Sequence, residues 1–187
     1  MQRARLGVLA VVLASTVAPA FAQSGKPPES ATVVSAAEIE KVVSAPGGGD
    51  REIKILDLGK YNIGIAVLRR GATKPGAPLG AINHTKVTEV YYVVSGSGTL
   101  ITGGEVKDIK PIAADSELVT TVVGPGNNAM FVRPATSQVI STGDVVVIPA
   151  GVYHGFSEVP DHIEYVSVRP DPEKALPAGY LNPALKK

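Results

Sequence analysis

From Arg51 to Arg169 the chain alternates β-branched runs with breaks that carry glycine or proline, and this punctuation constrains the fold most. "EIKILDLG" and "YNIGIAVLRR" are separated by a turn-like Gly59–Lys60, and "GATKPGAPLGA" reads as a loop. "TEVYYVVSGSGTLIT" reads as a hairpin, and "SELVTTVVGPGNNAMFVRP" as a second strand pair about a Gly-Pro-Gly turn. "GDVVVIPAG" and "IEYVSVRP" are further strands. Strands dominate and helix is scarce, which predicts one all-β domain, a sandwich or barrel. In the second strand Tyr61, Ile63, Ile65, Val67 and Arg69 share a face by the period of two.

The one helical signal precedes these strands. Ser35 followed by Glu38 forms a capping box, and Ile39, Val42 and Val43 give one apolar side. A short helix over 36–44 follows, ended by Pro46 and three glycines, packed outside the barrel. The segmentation is 1–22, 23–50 for leader and helix, 51–170 for the barrel, and 171–187 for a proline-rich tail.

Residues 1–22 show two arginines, an apolar run from Leu6 to Val17 and small residues at Ala20 and Ala22, the order of a secretory signal peptide. Cleavage after Ala22 predicts a periplasmic or secreted protein, and the apolar run is too short to span a bilayer. Removing Arg3 and Arg5 changes the formal charge from +1 to −1. Without a basic run there is no electrostatic reason to expect nucleic acid or, after cleavage, a membrane. The absence of cysteine excludes disulfides, thiolate ligands and cysteine nucleophiles.

Only three histidines are present. His84 and Glu89 are five positions apart, so they converge only if the chain bends between them. A carboxylate pointing into an apolar interior is costly unless it is paired or bound to a cation. In "GDVVVIPAGVYHGFSE" a strand enters a Pro149-Ala150-Gly151 turn and then presents His154.

These two stretches resemble the paired motifs of the cupin superfamily. Gly76, Ile82, His84, Glu89 and Gly96 fall at the places of the first motif; Gly143, Pro149, Gly151, His154 and Glu158 fall at those of the second. Ile82 stands where the family has a histidine, and Glu158 where it has an asparagine. The resemblance implies a double-stranded β-helix, a jelly-roll-like barrel with its site in the mouth. It also implies a divalent metal (Fe, Zn, Mn or Ni) held by His84, Glu89 and His154. Two imidazoles and a carboxylate suit non-haem iron or a three-ligand catalytic zinc. The expected function is a small-molecule metalloenzyme, an oxygenase or an isomerase or lyase. The alternative is a non-catalytic small-molecule-binding cupin with a degenerate site.

Around that set, Ile82 would border the metal as an apolar wall. Tyr91 would line the cavity and donate to a substrate or simply pack, and Arg69 would reach an anionic substrate or return to solvent. Glu158 could support a ligand histidine, and His162 could replace the missing one. The long segment between the motifs, with "GGEVKDIKPIAADSE", reads as an excursion at the mouth, either a lid or a dimer contact. Family analogy suggests a homodimer.

Overall fold

A computed structural model describes residues 28–46 and 49–186, so the expected export signal and cleavage point lie outside the described residues. Helix α1, Ala36–Val43, begins as expected. The Ser35 side chain accepts from the Glu38 N–H, and the Glu38 carboxylate accepts from the Ser35 N–H, satisfying donors that a helix start leaves free. Its apolar stripe buries Val42 against Ile53 and Val67, with Ile39 and Ile65 beside them.

Eight strands follow: β1 (Gly49–Asp57), β2 (Asn62–Gly71), β3 (Gly80–His84), β4 (Glu89–Pro111), β5 (Gly126–Ser141), β6 (Val145–Ile148), β7 (His154–Glu158) and β8 (His162–Asp171). All the pairings between them are antiparallel. One wall runs β1-β2-β8-β4-β6. In the other, the second half of β4 pairs with β5 and β7, and β3 joins those two, closing a ring of four strands. β4 therefore belongs to both walls, and the barrel is built around it. Among the described residues no helix is long and apolar enough to cross a membrane.

Three local expectations are overturned, each by tertiary pairing or packing. "SGSG" makes no hairpin turn: β4 runs straight through it for 23 residues. Gly96 absorbs the irregularity with φ +74°, at a point where a Cβ would lie 2.0 Å from the His162 carbonyl oxygen. From Ser97 onward the strand pairs with β5, so long-range ladder bonds outweigh the local glycine signal. The supposed excursion is largely strand as well, because residues 103–111 continue β4. "LVTTV", Leu118–Val122, is a π-helical turn rather than a strand. Ser116 starts it by accepting from Val119 and Thr120, and Val119 and Val122 bury beneath it.

The tail has no long element, yet it is fixed. Leu176 is buried with Ile55 and Val87. Backbone bonds join Ile55 to Tyr180 and Gly179, and Asn182 to Ile53, so the tail straps the outer edge of β1 and ends in a 3-10 turn, Pro183–Leu185.

β2 has two buried faces. Ile63, Ile65 and Val67 share the outer one, where Ile65 and Val67 lie under α1. Gly64, Ala66 and Leu68 face the interior, where their neighbours are Arg169, Ser167 and Tyr165 of β8. Across β1 the same rows reach Glu52 and Asp50, and across β4 they reach Tyr91 and Val93. The smallness of Gly64 and Ala66 leaves room for a polar row in an otherwise apolar barrel.

A Cβ at Gly64 would stand 2.7 Å from Glu52 Oε1 and 3.3 Å from Arg169 Cβ. Gly64→Ala should therefore cost about 1–3 kcal/mol through overpacking, a fall in Tm of roughly 2–4 °C for each kcal/mol. Gly71→Ala, where an added Cβ meets nothing within 4 Å, is the control. Equal melting of the two variants would mean that the polar row yields freely.

Candidate metal centre

β3 ends at His84 and β4 starts at Glu89; the chain turns at residues 85–88, held by Thr85 donating to the Pro125 carbonyl. That bend resolves the odd spacing of the two side chains. The Pro149–Gly151 turn is tied to the end of β3: the Gly151 N–H donates to the His84 carbonyl at 2.7 Å, and Asn83 Nδ2 donates to the Gly151 carbonyl at 3.2 Å. His154, the first residue of β7, is thereby delivered beside His84, with ring centroids 5.1 Å apart.

His84, Glu89 and His154 converge, all buried, each offering one ligand atom within 4.8 Å of the others. Glu89 Oε2 lies 3.3 Å from His84 Nε2 and 3.1 Å from His154 Nε2, and it accepts from the Tyr91 hydroxyl at 2.8 Å. Glu89 Oε1 accepts from Ser167 Oγ at 3.2 Å and from Arg169 Nε at 3.0 Å, with Arg169 Nη2 at 2.9 Å. One oxygen is anchored and the other faces the imidazoles.

The donor set suits a cation. His154 Nδ1 is 3.0 Å from the Val152 carbonyl, which can only accept, so that nitrogen carries the proton. Nε2 is the nitrogen left to face Glu89 Oε2 at 3.1 Å, placed either to donate to the carboxylate or to share a cation with it. Burial pushes the His84 imidazole below its ordinary range, which keeps it neutral, the form that binds metal. Burial acts to raise Glu89, but the Arg169 charge and the two imidazoles outweigh it and hold the carboxyl well below its ordinary range. His84 Nδ1 is buried without a hydrogen-bond partner among the described residues.

Arg169, fully buried, was not foreseen. Besides Glu89 it reaches Glu52 Oε2 at 3.0 Å, the Val122 carbonyl at 3.0 Å, and Asp50 Oδ2. Three carboxylates thus surround one guanidinium, and protons make up the deficit of positive charge. Burial pushes Glu52 up to about 8 against the pull of Arg169, and raises Asp50 in the same way. A sequence signal existed: in "IEYVSVRP" the strand period puts Ser167 and Arg169 on the face of Tyr165, an inward face.

Other candidates fall elsewhere. Tyr91 is buried, and its hydroxyl is committed to Glu89 rather than free for a substrate. Arg69 lies on the outer face of β2, bound to Glu164 at 2.6 Å, because alternation puts its neighbour Arg70 on the inner row instead. Glu158 is exposed at the end of β7, with no contact to either imidazole. His162 pairs with Asp161 at the surface. Ile82 stands opposite His154 in the β3–β7 register and lines the same cavity, about 470 Å³ in volume.

The architecture is a double-stranded β-helix, with a two-histidine, one-carboxylate cluster inside. The Cupin family profile matches residues 35–175, and the chain belongs to that family. Several solved structures are similar at low identity. A Bacillus halodurans protein is 12% identical, with 84% of this chain and 92% of that one covered and a TM-score of 0.45. A Klebsiella pneumoniae protein with a double-stranded β-helix domain is 16% identical over 78% and 94%, TM-score 0.42. A Rhizobium leguminosarum protein is 13% identical over 77% and 99%, TM-score 0.44. No curated protein matches the sequence.

Two measurements probe the ionic row. Arg169→Met would leave three inward carboxylates without their cation, at a cost of about 3–5 kcal/mol in the urea unfolding of metal-free protein; a loss under 1 kcal/mol would mean that all three are already neutral. Glu52 ionises near 4.5 when unfolded and near 8 when folded, so the folded chain holds a proton that the unfolded chain has released between those values. Its contribution to stability therefore falls as pH rises through that window. Glu52→Gln, which cannot ionise, should gain on wild type from about pH 5 to about pH 8 and then level off. A pH-independent difference would place the Glu52 pKa outside the window.

Proposed function

We propose that this protein is an exported, metal-dependent small-molecule enzyme of the cupin type. His84, Glu89 and His154 are its ligands, and the cavity beside Ile82 is its substrate chamber. The observation that carries the metal is the buried convergence of one ligand atom each from His84, Glu89 and His154 within 4.8 Å of one another. Three protein ligands leave positions for substrate, and His154 lines the chamber. A bound divalent metal would supply Lewis-acid polarisation or, as iron, oxygen activation. Arg169 and Ser167 fix the orientation of Glu89, and Tyr91 holds its second oxygen. The Val152 carbonyl sets the tautomer of His154. Export rests on the sequence of residues 1–22.

A second reading is a binding protein that uses the chamber without a metal. Its support is Ile82 at the first ligand place and a Glu89 already neutralised by Arg169.

Elemental analysis of natively purified protein separates the two. Wild type should hold close to one divalent ion per chain, and Glu89→Ala and His154→Ala less than about a tenth of that. Ile82→His should tighten metal binding about tenfold or more by adding a fourth ligand. Metal-free wild type that stays metal-free after reloading would favour the second reading.

A further inference from the structure

Arg70 is a cation that neither the ionic row nor the metal cluster uses. It ends the β2 row of Gly64, Ala66 and Leu68 and is itself exposed at the mouth of the barrel. Its Nε donates to the Tyr165 hydroxyl at 3.1 Å, and its guanidinium lies over the Phe156 ring, 5.4 Å from the centroid. Tyr165 is itself fixed, fully buried and stacked on Tyr91 at 4.2 Å. The guanidinium is thus held at its edge and on one face, and neither Nη has a hydrogen-bond partner among the described residues. An arginine held only at Nε presents a preformed pair of donors.

Those donors border the chamber that also contains His154 and Ile82. No acidic residue lines it; its other walls are small or apolar, with Thr73 and Asn128 as the further polar side chains. Phe156, beneath Arg70, is two residues from His154 on β7, a spacing of roughly 7 Å along a strand. The chamber therefore has a cation near one end and His154 of the candidate cluster near the other, about the length of a short organic acid apart.

We infer that Arg70 is the anchor for the carboxylate of a small organic acid whose other end reaches the His84–Glu89–His154 cluster. This rests on the chamber assigned under the proposed function, yet the anchor itself needs no metal. A single guanidinium between apolar walls, with no glycine-rich nest and no second cation, matches a monoanionic carboxylate better than a phosphate dianion. Arg69, one position earlier, has no such role because Glu164 neutralises it outside the barrel.

The test titrates full-length mature protein, metal-stripped and zinc-loaded, with a panel of carboxylates of about two to six carbons. Their neutral amides and inorganic phosphate are run beside them, and binding is read by calorimetry and protein NMR. At least one carboxylate should bind saturably to both forms, with its amide and phosphate at least about tenfold weaker. Arg70→Met should lose about tenfold or more of that affinity, and Arg70→Lys part of it, with zinc content and melting temperature as in wild type. Unchanged affinity in Arg70→Met, equal binding of the amides or phosphate, or no carboxylate bound at all would overturn the assignment. Carboxylate binding that depends on Arg70 in a protein that takes up no zinc would retire the metal reading and leave the anchor standing.

Discussion

The guanidinium of Arg169 is the point on which the interior depends. A barrel of this size would ordinarily be filled with aliphatic side chains, and its other half is: Val93, Leu100, Ile140, Ile148 and Ile163 pack around Tyr91 and Tyr165. At the Arg169 end the chain instead buries Glu52 and Glu89 and half-buries Asp50, carboxylates that alone would be expensive to dehydrate. One planar cation with several fixed donors reaches all three. Breaking such a group costs more than forming it gains, so its presence argues for a task beyond stability. The task it can perform is local: it fixes one oxygen of Glu89 and leaves the other facing two imidazoles.

Much of this was legible in the sequence, and the illegible part has a consistent cause. The helix start was readable because a capping box is local chemistry within four residues. The convergence of His84, Glu89 and His154 was readable because family spacing encodes the bend and turn that deliver them. Failures came where a distant partner decided the outcome. "SGSG" looks like a turn in isolation, but β5 supplies partners that keep it extended. Arg69 and Arg70 are adjacent and chemically alike, and only the register of β2 against β8 tells which stands on the inner row. Asp50, Glu52 and Arg169 lie more than a hundred positions apart at their extremes, and no local pattern links them.

Two arginines on the inner rows of the sheet divide the work, Arg169 enclosed and Arg70 exposed at the mouth. Arg169 works behind the ligands, fully enclosed and saturated with protein carboxylates. Arg70 works in front of them, bordering the open chamber, with donors left over. The tyrosine pair Tyr91 and Tyr165 stands between, one hydroxyl turned to Glu89 and the other receiving Arg70. This layering gives the chamber a direction: apolar walls, an outer cation, an inner cluster and a charged foundation.

The span of the Arg169 bonds bears on how the molecule comes into being. Arg169 contacts Asp50 across 119 positions, Glu52 across 117 and Glu89 across 80, and the tail then straps over β1. A nascent chain that has reached β7 already holds both histidines and Glu89, but not the guanidinium that orients the carboxylate. Until β8 inserts between β2 and β4, the acidic side chains must stay hydrated or protonated, and the first wall cannot close. Topologies dominated by such distant contacts fold slowly, because much chain must be ordered before they are rewarded. A polypeptide truncated before residue 169 would carry all three candidate ligands without the guanidinium that orients Glu89.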